Sequence, residues 1–238
     1  MNSQLLNELS ENGFLIVSRV FGVQHIERLK AELALIAEAE EVRRRGETYA
    51  IRNLLKACAA VRDLAKSPQI RALVDPVLGD DAFPVRSLLF DKTAEANWLV
   101  PWHQDMTICV AEKREVSGYG PWSIKAGQWH VQPPMTVLER MLSVRIHLDH
   151  CDESNGALRV IPSTHSQGRL NPNAIRCAEE TNRISVCSVE SGGVLLLKPL
   201  LVHASSAARN PVHRRVVHID FANCELDGGM SWQTGNKD

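Results

Sequence analysis

The stretch Trp102-His103-Gln104-Asp105, taken together with His203 far downstream, constrains this chain more than any other feature. Two imidazoles and one carboxylate are the ligand set of the two-His-one-carboxylate iron site, which leaves half the coordination sphere open for substrate chemistry. On a strand, residues i and i+2 share a face, so His103 and Asp105 can grip one ion while Gln104 points away. The fold must then return His203 to that pair. His-x-Asp alone is a weak signal, because an isolated pair is more often a hydrogen-bonded structural element than a metal site.

The rest of the chain sets bounds on the setting. With 238 residues, 44% hydrophobic and 23% charged, it has ordinary globular composition and length enough for one sizeable core. One domain is expected over 1–238: a mostly helical flank at 1–84, a β core at 85–223, and a candidate lid at 106–136. The formal net charge of −1 gives no bulk attraction to nucleic acid or anionic lipid. The opening residues carry no basic region followed by an apolar run, and no apolar stretch approaches the roughly 18 residues of a membrane span. The six cysteines are scattered with no Cys-x-x-Cys pair. They read as reduced thiols in a cytoplasmic protein.

Helical spacing predicts helices over 3–12 and 23–39, where Val23, Ile26, Leu29, Leu33 and Ile36 recur on one face. Phe14-Leu15-Ile16-Val17 reads as a short strand after Gly13. Arg43-Arg44-Arg45, beside Glu38, Glu40, Glu41 and Glu47, reads as the solvated face of a helix. Two further helices are expected at 52–66 and 68–78, the second with Ser67 as cap and Pro68 in its first turn. After residue 84 short β-type runs alternate with Gly, Pro and Asn turns. Strands are expected near 85–91, 101–105, 141–149, 157–161, 184–188, 193–197, 200–204 and 214–223, in a sandwich, barrel or jelly roll. Segments 106–136 and 162–183 read as irregular, and the aromatics of the first suit a functional loop.

A second constellation follows near the C-terminus: Ser191-Gly192-Gly193, the apolar run Val194-Leu195-Leu196-Leu197, then Pro199, His203, Ser205 and Arg214. With the His-x-Asp motif, this resembles the phytanoyl-CoA dioxygenase family of iron(II)- and 2-oxoglutarate-dependent oxygenases. There the distal histidine is followed at +2 by a serine and at +11 by an arginine that hold the far carboxylate of 2-oxoglutarate; Ser205 and Arg214 match both. A planar guanidinium suits a carboxylate. Arg215 falls on the opposite face of a strand. Asn155-Gly156-Ala157-Leu158 and Ile161-Pro162-Ser163-Thr164-His165 also resemble the family, departing at Ser163, usually Gly, and Thr164, usually Ser. Asn155-Gly156 reads first as a hairpin signal. The resemblance places His165 in a structural turn rather than on the metal. Phe90-Asp91-Lys92 and Asn97-Trp98 resemble the family's lead-in, where a lysine often reaches 2-oxoglutarate. Lys92 is thus a candidate, against its reading as a surface residue. The opening Glu11–Val17 segment and the helix after it fit the family too.

The resemblance implies a double-stranded β-helix, a cupin-like jelly roll that is mainly β with N-terminal helices packed outside. It implies iron(II) held by His103, Asp105 and His203, with 2-oxoglutarate and O2 as cosubstrates. The activity would be dioxygenase hydroxylation of a small molecule, releasing succinate and CO2. Halogenating relatives replace the carboxylate with a small residue, so Asp105 disfavours halogenation; desaturation, epimerisation and ring closure stay open. Along 141–149, alternation places Ser143, Arg145, His147 and Asp149 opposite Leu142, Val144, Ile146 and Leu148. A buried arginine needs a partner, so Arg145 is a candidate for an anionic group. Trp129, His130, Gln132, Arg52 and Asn53 are candidates to line the mouth. His218 and Asp220 form another i, i+2 pair, read as satisfied polar groups rather than a second metal site. Two other classes compete: a cupin-type metal-dependent isomerase or epimerase, which has no need of Arg214, and a non-catalytic metal-binding jelly roll. No nucleic-acid or membrane partner is expected.

Overall fold

The computed structural model describes residues 1–36, 42–45, 47–125 and 127–234. The chain opens with α1 (Ser3–Asn12), capped by the Asn2 side chain on the Leu5 N–H at 3.0 Å and closed by Gly13 at φ +80°. Strand β1 (Phe14–Val17) and helix α2 (Val23–Ala34) follow. The expected helical end at 37–39, with Glu38, Glu40 and Glu41, lies outside the described residues. The basic run is not helical. It lies in β2 (Val42–Arg45), paired antiparallel with β3 (Glu47–Arg52). The helix expected at 52–66 is two pieces, α3 (Leu54–Ala57) and α4 (Ala59–Lys66), separated by Cys58 in an extended conformation. Helix α5 (Pro68–Leu78) starts as the Ser67-Pro68 signature requires.

The β core comprises β4 (Phe83–Lys92), β5 (Val100–His103), β9 (Met141–His147), β10 (Leu158–Val160), β11 (Ser185–Cys187), β12 (Val194–Leu197), β13 (His203–Ser205) and β14 (Arg214–Ala222). Segment 106–136 is not irregular. It holds β6 (Ile108–Val110), β7 (Trp122–Lys125), β8 (Gln128–Val131) and the short α6 (Met135–Leu138). These strands form their own three-stranded sheet, β6-β8-β7. Ile108, Val110 and Val131 pack with Val85, Met230 and the fully buried Trp232, so apolar burial rather than turn chemistry organises this segment. Segment 162–183 contains α7 (Pro172–Thr181), capped by Asn171 on the Ala174 N–H at 2.9 Å.

Two larger sheets make the walls of a jelly roll. One has seven strands in the order β1-β12-β9-β14-β4-β3-β2, and the other has four, β11-β10-β13-β5. Period-2 alternation sorts the large sheet. Leu142, Val144, Ile146, Val217, Ile219 and Leu89 face outward, into a core shared with Leu9, Ile26, Leu29, Val61, Leu64, Ile70 and Val74 of the helices. The intervening residues of β4, β9 and β14 face the four-stranded sheet. The inner space is divided: Leu158, Val160, Leu195 and Leu197 fill one flank with apolar packing, and polar side chains from β4, β14 and β9 line the other. Strands β9 and β10 belong to different sheets, so Asn155-Gly156 sits in a turn carrying the chain between sheets rather than in a hairpin. Asp152 shapes that turn by accepting from the Ser154 N–H at 2.8 Å and the Ser154 hydroxyl at 2.7 Å.

Candidate metal centre

Strands β5 and β13 pair antiparallel with His103 directly opposite His203. Their ring centroids lie 4.2 Å apart. Asp105 falls beyond the end of β5, where its N–H donates to the Pro199 carbonyl at 2.9 Å. Its carboxylate oxygens stand 3.7 Å from His103 Nε2 and 3.6 Å from His203 Nε2. One donor atom from each of the three residues lies within 4.8 Å of the others, the sole such cluster among the described residues. Between them Gln104 points the other way. Its amide nitrogen donates to the Gly168 and Leu200 carbonyls at 2.8 and 2.6 Å, and its oxygen accepts from the Leu170 N–H at 2.8 Å. Two backbone segments, 168–170 and Leu200, are thereby tied to the residue between two prospective ligands.

The two histidines share one local device. Nδ1 of His103 lies 2.8 Å from the Pro101 carbonyl, and Nδ1 of His203 lies 2.9 Å from the Leu201 carbonyl, each two residues upstream. A carbonyl can only accept, so each Nδ1 carries the proton and each Nε2 presents a lone pair towards Asp105. Burial lowers the His203 pKa to about 4, with Asp105 opposing. Desolvation pulls the Asp105 carboxyl upward, but His203 and His103 overcome it and hold the group below the ordinary carboxylate range. Two imidazoles presenting Nε2 and one carboxylate fit iron(II), a cation served by mixed nitrogen and oxygen donors.

A cavity of about 100 Å³ opens beside these groups, walled by Leu88, Phe90, Trp98, Val100, Leu158 and Ser205 and by Arg86, Arg145, Arg214 and His218. Arg214 begins β14 and is 3% exposed. Its Nη1 donates to the Gly156 carbonyl at 2.7 Å, while its Nε is buried without a partner, an orphaned donor that a ligand carboxylate would satisfy. Ser205 donates to the same Gly156 carbonyl at 3.1 Å and accepts from Lys92 Nζ at 2.7 Å. Lys92 is no surface lysine. It is fully buried, opposite Arg214 in the β4–β14 register, with Nζ 5.6 Å from the Trp98 ring centroid. Burial first, then the Arg214 charge, lowers its pKa to about 7. Arg215 faces outward, where Asp149 grips it bidentately at 2.8 and 2.9 Å. Of this adjacent pair, Arg214 is the one that lines the cavity.

Most other candidates fall elsewhere, His218 on the cavity wall excepted. Trp129, His130, Gln132, Arg52 and Asn53 are not among the residues lining this cavity. Trp129 packs edge-on against Trp122 at 6.2 Å, and His130 is buried against the Cys109 thiol. The Gln132 backbone bonds to Gly120 and Pro121. Strand pairing holds all three in the β6-β8-β7 sheet or at its edge. Arg52 ends β3, and Asn53, at φ +55°, lines an outer cleft with Lys56 and Arg62. His165 bonds through Nε2 to the Ser10 carbonyl at 3.1 Å, with Nδ1 against Gly13, and belongs to the α1 junction. His218 Nε2 meets Asp220 at 2.8 Å, and Ser143 donates to the same carboxylate oxygen at 2.5 Å. The pair is bonded together through Nε2, but it is not fully satisfied: His218 Nδ1 is buried without a partner. Sequence reasoning missed Arg86, Leu88 and Phe90 as cavity wall, although their i, i+2 spacing with Lys92 carries the signal.

A family model described as phytanoyl-CoA dioxygenase (PhyH) matches residues 9–216. Among solved structures, the chain is similar to AviO1 from Streptomyces viridochromogenes Tue57, with a TM-score of 0.69 and 21% identity, covering 95% of this chain and 96% of that one. It is similar to EctD from S. alaskensis, solved with 2-oxoglutarate and 5-hydroxyectoine, with a TM-score of 0.74 and 18% identity over 93% of this chain and 76% of that one. A third is SnoK, a non-heme alpha ketoglutarate dependent carbocyclase from nogalamycin biosynthesis, with a TM-score of 0.73 and 14% identity over 100% and 88% of the two chains. At these identities the likeness carries the fold. None of the curated proteins matches the chain.

Proposed function

The chain belongs to the phytanoyl-CoA dioxygenase family and is an iron(II)- and 2-oxoglutarate-dependent dioxygenase, and from that premise we propose that it hydroxylates a small molecule at the centre formed by His103, Asp105 and His203. One observation carries this reading: two Nε2 lone pairs, each fixed by an Nδ1–H bond to a carbonyl, converge with one carboxylate beside the cavity that holds Arg214 and Ser205.

His103, Asp105 and His203 would hold the iron as a three-point set that leaves positions for ligands. Bound there, the iron supplies activation of O2, coupled to oxidative decarboxylation of 2-oxoglutarate to succinate and CO2 while a substrate C–H bond becomes C–OH. The protein's share is positioning. Arg214 and Ser205 would take the far carboxylate of 2-oxoglutarate, with Lys92 fixing the serine hydroxyl from behind. Leu88, Phe90, Val100 and Leu158 present apolar surface beside the centre and limit water there.

The test needs no substrate. Iron(II) and 2-oxoglutarate are added to metal-free protein without oxygen, and the visible charge-transfer band of the chelate is followed. A saturable band is expected, absent in His103→Ala and weakened in Arg214→Ala. Tight binding of a divalent metal without any band in the wild type would defeat the reading.

A further inference from the structure

Arg145 is the one cavity-lining arginine whose guanidinium has no hydrogen-bond acceptor and no ion pair among the described residues. Alternation along β9 turns it inward, because Val144 and Ile146 on either side enter the helix-packed core. The residue is 9% exposed and lines the same cavity as His103, Asp105, His203 and Arg214. Its guanidinium carbon lies over the Phe90 ring, 5.7 Å from the centroid. A cation–π contact supplies no hydrogen-bond acceptor, so it leaves the guanidinium N–H donors without one.

The acids nearby are taken. Asp105 is engaged by His103 and His203. Asp220 is engaged by His218, Ser143 and Arg86, the last at 3.5 Å. An unpaired buried charge is unfavourable unless a partner arrives. The charge balance of the loaded centre shows which partner is missing. Arg86 and Asp220 cancel. Iron(II), Asp105, Arg145, Arg214 and the dianion 2-oxoglutarate together leave one positive charge, and a protonated Lys92 adds another.

Resting on the dioxygenase reading above, we propose that Arg145 docks an anionic group of the substrate, best matched by a carboxylate, so that the substrate class is small organic acids. The in-plane donors fit the two oxygens of a carboxylate, and docking beside the iron ligands would hold the rest of the molecule against the apolar wall made by Leu88 and Phe90. Binding would neutralise one of the remaining positive charges.

The test uses acetate, the smallest stable carboxylate carrying a methyl group, on anaerobic protein loaded with iron(II) and 2-oxoglutarate. Acetate is expected to perturb the visible and circular-dichroism bands saturably, and acetamide at the same concentration to leave them unchanged. Arg145→Met should weaken the acetate response at least tenfold, and Arg145→Lys should keep part of it. Arg145→Met should change 2-oxoglutarate affinity by less than threefold, and its ligand-free melting temperature should equal or exceed that of the wild type, because an unpaired buried charge has been removed. The inference is overturned if acetate acts equally on Arg145→Met, if acetamide matches acetate, or if the variant unfolds more readily than the wild type. A 2-oxoglutarate affinity falling as far as in Arg214→Gln would assign the guanidinium to the cosubstrate instead. A normal band without any acetate response defeats this inference alone; absence of the band in the wild type defeats the dioxygenase site with it.

Discussion

Arg214 donates from Nη1 to the carbonyl oxygen of Gly156 at 2.7 Å, and the Ser205 hydroxyl donates to that same oxygen at 3.1 Å. One backbone carbonyl in the turn between the sheets therefore orients both residues matched to the cosubstrate carboxylate. The turn can approach this closely because residue 156 has no side chain. A Cβ there would stand 2.7 Å from the Ser206 carbonyl oxygen and 2.9 Å from Lys92 Nζ, at a backbone φ of +80°. Gly156→Ala must push the turn away from Arg214 or strain it in place. The expected result is about tenfold weaker 2-oxoglutarate binding, near 1.4 kcal/mol, with iron affinity retained. Titrating the anaerobic band against 2-oxoglutarate measures it, and wild-type affinity in the variant would refute the assigned role of the turn.

The adjacent arginines provide an internal control. Arg214 faces the cavity and Arg215 faces Asp149 on the outer side. Arg214→Gln removes a charge-assisted grip and is expected to weaken 2-oxoglutarate by about 2 kcal/mol, roughly thirtyfold. Arg215→Gln should leave that affinity within about twofold. Its cost falls on stability instead, on the order of 1 kcal/mol, because the ion pair it breaks is only partly buried. Equal losses of cosubstrate affinity in the two variants would contradict the facing seen here.

The metal-ligand candidates were legible because they depend on residue type and spacing, which the chain states directly: His103, Asp105 and His203 converge as that pattern requires. The polar face of β9 was legible for the same reason. The peripheral candidates Trp129 and His130 were not, because aromatic content says nothing about which sheet a segment joins; Ile108, Val110 and Val131 decide that by packing on Trp232. The break at Cys58 is likewise invisible to helical periodicity, which runs on through 52–66. Helix α7 is a different case. Asn171-Pro172 carries the same cap-and-proline signature as Ser67-Pro68, so its start was readable although the segment around it read as irregular. Ser163, where the family usually has glycine, keeps the left-handed backbone at φ +66° and offsets the strain by donating its hydroxyl to the Glu11 carbonyl at 2.8 Å.

Alternation on β9 separates stability from function, and substitution can separate them too. Leu142 is fully buried in the core between the large sheet and the helices, on the face opposite Ser143 and Arg145. Leu142→Ala deletes buried methyl groups where close packing limits collapse, so unfolding should be easier by about 2–5 kcal/mol. Urea unfolding of the metal-free protein is expected to show a lower midpoint, with 2-oxoglutarate affinity of the folded variant within about twofold of wild type. A large affinity loss with unchanged stability would reverse the facing of the strand.

Lys92 is expected to make 2-oxoglutarate binding sensitive to pH. In the ligand-free fold its pKa is lowered to about 7, by burial first and the Arg214 charge second, from 10.5 for an unhindered lysine. For stability the sign follows from proton counts: between about pH 7 and 10.5 the unfolded chain holds the proton that the folded chain has released. This group's penalty is therefore fully present below pH 7 and relieved as pH rises. For binding the sign is opposite. A carboxylate arriving at Arg214 and Ser205 favours the ammonium form and raises the bound-state pKa above 7. Binding then takes up a proton above pH 7, and affinity for 2-oxoglutarate should fall as pH rises from 7, by at most about tenfold per pH unit, while staying level below 7. Lys92→Met should bind more weakly at pH 6.5 and lose the slope. Anaerobic titrations at pH 6.5, 7.5 and 8.5 measure both, and a wild-type affinity that stays flat or strengthens across that interval would show that the Lys92 charge does not act on the cosubstrate.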